Sequence, residues 1–245
     1  MKLLEWNINK RTNSIPVQPF VYNRILEQKT DIICLVEYID DINIKDKLTD
    51  EYWFKESVAH SGNQILIAIS KKIAPNEMQL VRATEEISCY NFLHVRFVDS
   101  CNRGFSVVGV RMLSPMDATI QTPPLNKYLS QIKEPFICIG DFNIKGYRMN
   151  HWFPKYKTEI LKSSTQEIEN SSIVFVDKYS KTIEGFGDFD HVLGSDNLQI
   201  TSEYKWGFIE DDAIYPKISN IKIGAMWNIK PAYPDHAMMI TEIEI

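Results

Sequence analysis

The sequence predicts an α/β protein whose strands run in mixed directions and form sheets that stack as a sandwich. Short apolar runs that end abruptly in a polar residue recur along the chain, which is typical of buried strands. Residues 50–113 contain several β-branched or aromatic runs separated by polar turns, as in an antiparallel meander. Amphipathic stretches at 16–29 and 125–132 predict helices between strands.

A chain of 245 residues can fold as one sandwich, so we expect a single domain spanning residues 1–245. Its net charge of −5 provides no general basic field for long nucleic acid, so a polyanion has to be bound locally or through a metal. No apolar stretch is long enough to span a bilayer, which argues against a membrane partner. Four cysteines without CxxC spacing favour a reducing compartment, and the first residues lack the apolar core of a signal peptide. We therefore expect a cytoplasmic protein.

The first two predicted strands end in polar side chains. Residues 3–6 form the first strand, which leads into Asn7, and residues 32–36 form the second, which leads into Glu37. Asn7 is either a turn residue or a ligand. A carboxylate at the rim of an apolar layer is costly unless a cation or hydrogen-bond donors lie beside it. Glu37 is therefore either a surface residue or the ligand of a magnesium ion, which prefers oxygen donors.

Within the meander, Arg111 directly follows a strand predicted at 105–110. It can bind a phosphate with two nitrogens, or it can form a structural salt bridge. His94 alternates with apolar neighbours, so we expect it on the solvated face of its strand and not as a ligand. Residues 115–124 are expected to form a loop before a short helix.

The apolar run at 136–140 is the strand around which the chain is organised. It leads into Asp141 and Asn143, which in extended backbone point to the same side, with Phe142 turned back into the protein. Asp141 can orient or deprotonate a water molecule, and Asn143 can donate a hydrogen bond to a phosphoryl oxygen. The alternative interpretation is an ordinary turn, because glycine, aspartate and asparagine are common turn formers.

Aromatic and basic side chains cluster after this strand. Residues 145–157 include Arg148 and Trp152, and such a segment can follow a nucleic-acid backbone and stack on bases. It can equally be a solvated loop anchored by its aromatic residues. Further on, Phe186 and Phe189 either line a base or sugar pocket or serve only in packing.

Polar residues thus occur repeatedly where predicted strands begin or end. In a sandwich of two mixed sheets these ends can share one rim and form one cleft. The residues at strand exits are Asn7, Glu37, Arg111, Asp141 and Asn143, and those at strand entrances are Asp190 and His236.

At these positions the chain resembles the endonuclease/exonuclease/phosphatase superfamily, which includes DNase I-like and exonuclease III-like enzymes. The resemblance runs from the first strand to the last, in the family's order. It rests on Trp6-Asn7-Ile8-Asn9, Leu35-Val36-Glu37, Gly140-Asp141-Phe142-Asn143, Asp188-Phe189-Asp190-His191-Val192-Leu193 and Pro234-Asp235-His236-Ala237. It implies a DNase I-like fold, a four-layered α/β sandwich with two central, mainly antiparallel sheets.

The resemblance also implies a site for Mg²⁺, with Mn²⁺ as an alternative ion. By position, Glu37 would be the principal metal ligand, with Asn7 beside it and Asp235 near the metal. The chemistry agrees with the residue types, because a divalent cation polarises a phosphoryl oxygen and stabilises the leaving oxygen.

The catalytic roles that the resemblance implies fall on four further residues. Asp141 would orient or deprotonate the water, and Asn143 would bind the phosphoryl group. His236, paired with Asp190, would contact the phosphate and offset its developing negative charge.

The chain departs from the family pattern at one position. Where the family usually has histidine or tyrosine at the exit of the strand before the Gly-Asp-Phe-Asn motif, this chain has Arg111. Arginine does not deprotonate in proteins and is therefore a poor proton donor. We expect Arg111 to clamp a non-bridging phosphate oxygen, and we expect activity to be restricted to good leaving groups if an acid is required at this position.

Together these features predict a Mg²⁺-dependent phosphodiester hydrolase, a nuclease that acts on DNA or RNA without an obligate protein partner. The acidic net charge favours an alternative, a phosphatase or phosphodiesterase that acts on a small phosphorylated molecule. A hypothesis of another class is a catalytically inactive binding module with the same fold.

Overall fold

The structure is a computed structural model of the 245-residue chain, and its described residues form two six-stranded mixed sheets and one two-stranded sheet. It describes residues 1–10, 12–59, 63–83, 91–113, 118–158, 171–176, 183–209 and 234–245. The predicted fold class, an α/β sandwich with two central sheets, is confirmed.

The first sheet combines strands from the two ends of the sequence with strands from its first third. In spatial order its strands are β13 (Gln199–Lys205), β14 (Met238–Glu244), β1 (Lys2–Asn7), β2 (Ile32–Val36), β4 (Leu66–Ser70) and β3 (Tyr52–Glu56). Only β1 and β2 pair in parallel, and all other neighbours in this sheet are antiparallel.

The second sheet is built from the middle of the chain. In spatial order its strands are β5 (Gln79–Ala83), β6 (Asn91–Val98), β7 (Gly104–Arg111), β8 (Phe136–Asp141), β12 (Asp190–Gly194) and β9 (Lys157–Thr158). Here β7 and β8 form the single parallel pair. Both sheets therefore have the same order of pairings, with one parallel pair at the centre and antiparallel neighbours on each side.

The two sheets pack face to face. Strand β8 contacts both β1 and β2, and β2 also contacts β7, so the two parallel pairs lie against each other. One buried apolar cluster joins Leu4 and Leu35 of the first sheet to Val107 and Ile139 of the second. Burying this many aliphatic side chains is the main force that holds the layers together.

Helices cover the sheets. Helix α1 (Pro19–Glu27) buries Val21 and Ile25, and α2 (Ile42–Leu48) buries Ile44 and Leu48 in the cluster to which the first sheet contributes. A second cluster unites α3 (Ala118–Leu129) with Val108 and Cys138 of the second sheet, and it includes Met149 of the short helix α4 (Met149–Trp152).

Helix α3 corrects two predictions. The segment 115–124 was expected to be a loop, but the helix begins at Ala118 and contains Pro123 and Pro124, while residues 114–117 lie outside the described part. His94 was expected on a solvated face, but it is buried, with Nδ1 2.7 Å from the Tyr128 hydroxyl of α3. The helix covers this face of β6, so a polar position in the alternating pattern faces a second layer and not water.

The remaining strands form a hairpin of β10 (Ile173–Val176) and β11 (Ile183–Gly187). Strand β13 is followed by a 3₁₀ turn, Gly207–Ile209, while residues 210–233 lie outside the described part. Among the helices described, none has the length and apolar character needed to cross a bilayer.

Candidate active site

The predicted polar residues lie at the carboxyl ends of the two parallel pairs. Asn7 is the last residue of β1, and Glu37 directly follows β2. Arg111 and Asp141 end β7 and β8, and the register places these two residues opposite each other. Because the parallel pairs pack against each other, their carboxyl ends meet at one rim of the sandwich.

Two contacts cross between the sheets at this rim. The Asn7 amide Nδ2 donates to Oδ2 of Asp141 over 3.3 Å. Arg111 donates to Oε1 of Glu37 through Nε, at 3.1 Å, and through Nη2, at 2.6 Å. Each contact joins a residue of the first sheet to one of the second, so the site depends on the packing of the two layers.

Gly140 allows β7 and β8 to approach closely just before the site. Its φ is 141°, and a Cβ atom at this position would lie 2.0 Å from the carbonyl oxygen of Val110. No side chain can be accommodated at that distance without moving the backbone. This glycine therefore fixes the approach of Arg111 to Asp141, whose Nε and Oδ2 atoms are 3.6 Å apart.

Three residues at the rim have left-handed backbone conformations, namely Asn9, Glu37 and Asn143, with φ of 50°, 48° and 51°. Asparagine adopts this region with little penalty, but glutamate does so at a cost. The backbone strain at Glu37 therefore coincides with a proposed ligand, as is common at functional sites.

Glu37 and Arg111 form a buried ion pair. The Glu37 side chain is 1% exposed and that of Arg111 is 15% exposed. The third guanidinium nitrogen, Nη1, donates to the carbonyl oxygen of Met112 over 2.8 Å. Burial lowers the pKa of Arg111, but the charges of Asp141 and Glu37 raise it above its usual value overall, so the group stays cationic. Of the two interpretations of Arg111, the salt bridge is present in the structure.

Asp141 is buried and its charge is only partly compensated. Burial raises its pKa, Arg111 lowers it and Asp190 raises it again, with a net result of about 6. Its Oδ1 accepts a hydrogen bond from the backbone N–H of Asn143 over 2.9 Å. The Asn143 amide donates to the Met112 carbonyl over 2.7 Å. A carboxyl group with this pKa is mostly ionised at neutral pH and can accept a proton.

His236 and Asp190 form the third part of the site. Nδ1 of His236 lies 2.7 Å from Oδ2 of Asp190. Burial lowers the pKa of His236, but the charge and hydrogen bond of Asp190, with the charges of Asp235 and Asp141, raise it to about 10. The imidazole is therefore doubly protonated at neutral pH, and its Nε2–H can donate to an anion. Nδ2 of Asn7 lies 3.4 Å from this Nε2, and the two atoms do not hydrogen-bond while both carry protons.

Backbone contacts hold the pair in place. The indole N–H of Trp6 donates to the carbonyl oxygen of His236 over 2.9 Å. The Tyr204 hydroxyl donates to the carbonyl oxygen of Asp190 over 2.7 Å. Sequence analysis did not assign these two aromatic residues to the site, because their roles depend on contacts between distant parts of the chain.

The side-chain oxygens of the site fit a hard divalent cation, but not every polar side chain there can serve as a ligand. Among the described residues, side-chain atoms of Asp141, Asp190 and His236 lie within 4.8 Å of one another. His236 could join the two carboxylates as a metal ligand only after losing the proton on Nε2, because a doubly protonated imidazole has no lone pair. The oxygens of Asn7, Glu37 and Asp141 suit Mg²⁺, and Oδ1 of Asp190 is buried without a hydrogen-bond partner among the residues that the structure describes. Oε1 of Glu37 is already bound by Arg111.

Sequence analysis missed Glu5, a carboxyl group beneath the site. It is fully buried in β1, two residues before Asn7 and on the same face, and neither of its oxygens has a hydrogen-bond partner among the described residues. Burial and the charges of Asp190 and Asp141 raise its pKa well above the usual value, which favours its protonated form. The spacing of two residues in a strand was the available signal.

The predicted substrate-binding segment, residues 145–157, follows Asn143 of the site closely in sequence. The backbone N–H of Gly146 donates to Oδ2 of the buried Asp188 over 3.0 Å, which anchors a 3₁₀ turn, Gly146–Arg148. Tyr147 is 67% exposed, and the Arg148 guanidinium lies 5.5 Å from its ring centroid. Trp152 is partly buried against the cluster beneath α3.

Two of the other predicted site residues, Phe189 and Asp235, are buried. Phe189 is buried, and its carbonyl oxygen accepts the backbone N–H of Phe142 over 2.9 Å. Phe186 lies on β11, and its side chain is outside the described part. Asp235 is buried next to His236 in sequence and contributes to the raised pKa of that histidine.

Comparison with known proteins gives a consistent result at the level of fold. No protein-family model matches the sequence, and no curated protein matches it. Among solved structures, TDP2 of D. rerio in complex with a single-strand DNA product matches with a TM-score of 0.67 and 12% identity, over 100% of this chain and 99% of that chain.

Two further structures match over nearly the whole chain. The human Nocturnin catalytic domain with bound sulfate has a TM-score of 0.63 and 12% identity, covering 100% of this chain and 94% of its own. An endonuclease/exonuclease/phosphatase family protein from Bacteroides thetaiotaomicron has a TM-score of 0.64 and 10% identity, covering 99% and 97%. The chain therefore has the DNase I-like α/β sandwich fold of endonuclease/exonuclease/phosphatase proteins.

Proposed function

We propose that the protein is a Mg²⁺-dependent phosphodiester hydrolase that acts on nucleic acid. The observation that carries this proposal is the meeting of seven polar residues at one rim of the sandwich. These residues are Asn7, Glu37, Arg111, Asp141, Asn143, Asp190 and His236.

The cation belongs on the side of the rim formed by the first sheet. Glu37 would be its principal ligand, with Asn7 beside it and Asp235 near the metal, and Mn²⁺ would be an alternative ion. When bound, the metal polarises a phosphoryl oxygen and stabilises the leaving oxygen. His236 is not a ligand in this arrangement, because its raised pKa keeps the imidazole protonated and without a free lone pair.

Asp141 acts as the group that orients or deprotonates the attacking water. Its pKa of about 6 leaves it ionised at neutral pH yet basic enough to accept a proton. Asn143 binds the phosphoryl group with the N–H of its amide that does not bond to the Met112 carbonyl, since a primary amide has two such donors.

His236 offsets the negative charge that develops on the phosphoryl oxygens. Its imidazolium is held by Asp190, so the charge is already in place before the reaction begins. Arg111 cannot supply a proton to the leaving oxygen, because its pKa lies above the usual arginine value. The reaction therefore suits a leaving group that departs without an acid at this position.

Two observations favour a nucleic acid as substrate. Tyr147 and Arg148 project from the turn that follows Asn143, so that an aromatic ring and a cation are available to a base and a phosphate. TDP2 of D. rerio, which has the same fold, is known in complex with a single-strand DNA product. Trp152, Phe186 and Phe189 are weaker candidates for substrate contact.

The net charge of −5 favours the alternative, hydrolysis of a small phosphorylated molecule. The two proposals are separated by a panel of single-stranded DNA, duplex DNA, RNA and small phosphoesters, assayed with Mg²⁺, with Mn²⁺ and with a chelator. Nucleic-acid cleavage that stops with the chelator supports the nuclease. Turnover of small esters alone supports the alternative.

The catalytic assignment is tested with Asp141→Asn and His236→Ala. Each variant loses a positioned base or a transition-state charge, so we expect turnover to fall by about 100-fold or more. Asp196→Asn, at an exposed turn, is the matched control and should retain wild-type turnover. No metal-dependent turnover on any substrate would support a binding module that has lost catalysis. Near-normal rates in both site variants would instead refute the roles assigned to Asp141 and His236.

A further inference from the structure

Arg111 already binds the carboxylate of Glu37, which the proposed divalent cation requires as a ligand. Two of its guanidinium nitrogens contact the same oxygen of Glu37, at 2.6 and 3.1 Å, and the third is bound to the Met112 carbonyl. All three nitrogens are therefore engaged, and the side chain is only 15% exposed. Arg111 and Glu37 therefore form a buried ion pair at the rim and not a flexible surface contact.

A guanidinium in this position opposes a divalent cation in two ways. It uses Oε1 of Glu37, which the cation needs as a ligand, and it places a positive charge within about one ligand distance of the ion. Repulsion between cations is strong where water is excluded, and Glu37 is 1% exposed.

Arg111 also lies near a second carboxylate and shares an acceptor with a proposed phosphate-binding residue. Its Nε is 3.6 Å from Oδ2 of Asp141. The Met112 carbonyl accepts from both Nη1 of Arg111 and Nδ2 of Asn143, at 2.8 and 2.7 Å. A movement of Arg111 away from Glu37 therefore releases a donor beside the residue that we assign to the phosphoryl group.

We infer that Arg111 is the resident counter-ion of Glu37 and that a divalent cation binds by displacing it. Arg111 then sets the cation affinity of the site and, once displaced, turns its guanidinium toward the phosphate. It is a positioning residue in this role. The inference rests on the proposed function only in placing the cation at Glu37.

The test measures binding of Mn²⁺ alone to the full chain, with free Mn²⁺ followed by electron paramagnetic resonance. Arg111→Met removes the competing charge and retains much of the side-chain volume. We expect it to bind Mn²⁺ at least about tenfold more tightly than the wild type, equivalent to about 1.4 kcal/mol. Arg96→Met is the matched control, because Arg96 pairs with Glu134 at 3.4 Å, away from the rim, and it should leave the affinity unchanged.

A second measurement uses thermal unfolding in chelator and in Mn²⁺. Without metal, Arg111→Met removes the guanidinium that compensates the buried charge of Glu37, so the unfolding temperature of the variant should fall below that of the wild type. Added Mn²⁺ should raise the unfolding temperature of the variant by more than that of the wild type. If Arg111→Met does not fold, Arg111→Lys serves in its place, since it keeps the charge but lacks the two-nitrogen contact, and it should also bind Mn²⁺ more tightly.

Glu37→Gln, made alone and with Arg111→Met, separates this inference from the proposed function. If the inference is correct, Glu37→Gln weakens Mn²⁺ binding and abolishes the gain from Arg111→Met. Unchanged or weaker Mn²⁺ binding by Arg111→Met, with Glu37→Gln still weakening it, overturns the inference but leaves the cation site. Mn²⁺ binding that is indifferent to Glu37→Gln in both backgrounds overturns the inference and the proposed cation site together.

Discussion

Asp141 and His236 lie in the same buried group, but their surroundings favour opposite charges. Burial is the largest influence on the pKa of Asp141, and together with the neighbouring charges it raises that pKa to about 6. Burial lowers the pKa of His236, yet neighbouring carboxylates outweigh it and raise that pKa to about 10. Between these two values the site holds an ionised base and a protonated imidazole, which is the combination that the proposed reaction requires.

We therefore expect kcat/KM to have a bell-shaped dependence on pH. The acid limb should lie at or below about 6, because a bound cation further stabilises ionised Asp141, and the alkaline limb should lie near 10, where His236 loses its proton. Asp190→Asn removes the main charge that raises the His236 pKa, so the alkaline limb should move to lower pH. An alkaline limb that stays in place in this variant would contradict the role of the pair.

Glu5 gives a prediction about stability at the residue scale. The pKa of Glu5 is raised in the folded chain, so at a pH above 4.5, the ordinary pKa of glutamate, unfolding releases a proton. The free energy of unfolding therefore falls as the pH rises past 4.5. Glu5→Gln removes this titration and can donate to neighbouring carboxylates. We expect its free energy of unfolding in urea to exceed the wild-type value at neutral and alkaline pH, with the difference vanishing below 4.5.

Glu242→Gln is the control for Glu5, because Glu242 is exposed on β14. It should change the free energy of unfolding little at any pH. A Glu5→Gln variant that is less stable than the wild type at neutral pH would show that the carboxyl group has a partner that stabilises its charge.

At the scale of elements, Gly140 links the geometry of one strand pair to the site. Gly140→Ala would force a Cβ atom to within 2.0 Å of the Val110 carbonyl oxygen at a φ of 141°. We expect it to lower the free energy of unfolding by at least about 2 kcal/mol, because the two strands must separate. Gly207→Ala is the control, since nothing lies within 4 Å of its Cβ position, and its effect should stay within about 0.5 kcal/mol.

The strands were easier to predict than the layers that cover them. The runs leading into Glu37 and Asp141 are apolar on both faces, so they identify central strands without further information. Helix α2 was missed because it is only seven residues long, and its main signal is the Asp41 N-cap, which accepts from Asn43 and Ile44. His94 was misplaced because alternation does not distinguish water from a covering helix.

At the scale of the whole molecule, the charge distribution predicts a small electrostatic contribution to substrate binding. With a net charge of −5, only local cations such as Arg148 can neutralise phosphates. In an Asp141→Asn background that does not cleave, Arg148→Gln should weaken single-stranded DNA binding and reduce the slope of log K against log salt by about 0.7. Fluorescence anisotropy at several salt concentrations measures this.

Arg103→Gln provides the comparison for Arg148. Arg103 is 63% exposed in a turn between β6 and β7, where it pairs with Asp99. Its replacement should leave both the affinity and the salt dependence unchanged. Equal effects of the two substitutions would indicate diffuse attraction and not a binding segment after Asn143.

The composition of the site and the pairing of His236 with Asp190 could be predicted, but its contacts between the two sheets could not. Polar residues at strand exits were visible in the sequence because each interrupts an apolar run. The pairing of Glu37 with Arg111 joins two sheets, and the position of Glu5 beneath Asn7 depends on which face of β1 meets the second sheet. Such contacts follow from the packing of layers, about which periodicity along one strand contains no information.

The left-handed backbone at Glu37 has a consequence for related sequences. Glycine or asparagine would adopt a φ of 48° at lower energy, so mutation and selection for stability alone would replace glutamate there. We expect related sequences that retain glutamate at this position to use its carboxylate, and those with glycine or asparagine there not to use it. The residue at position 37 therefore distinguishes related proteins in which the site at the rim still functions from those in which it does not.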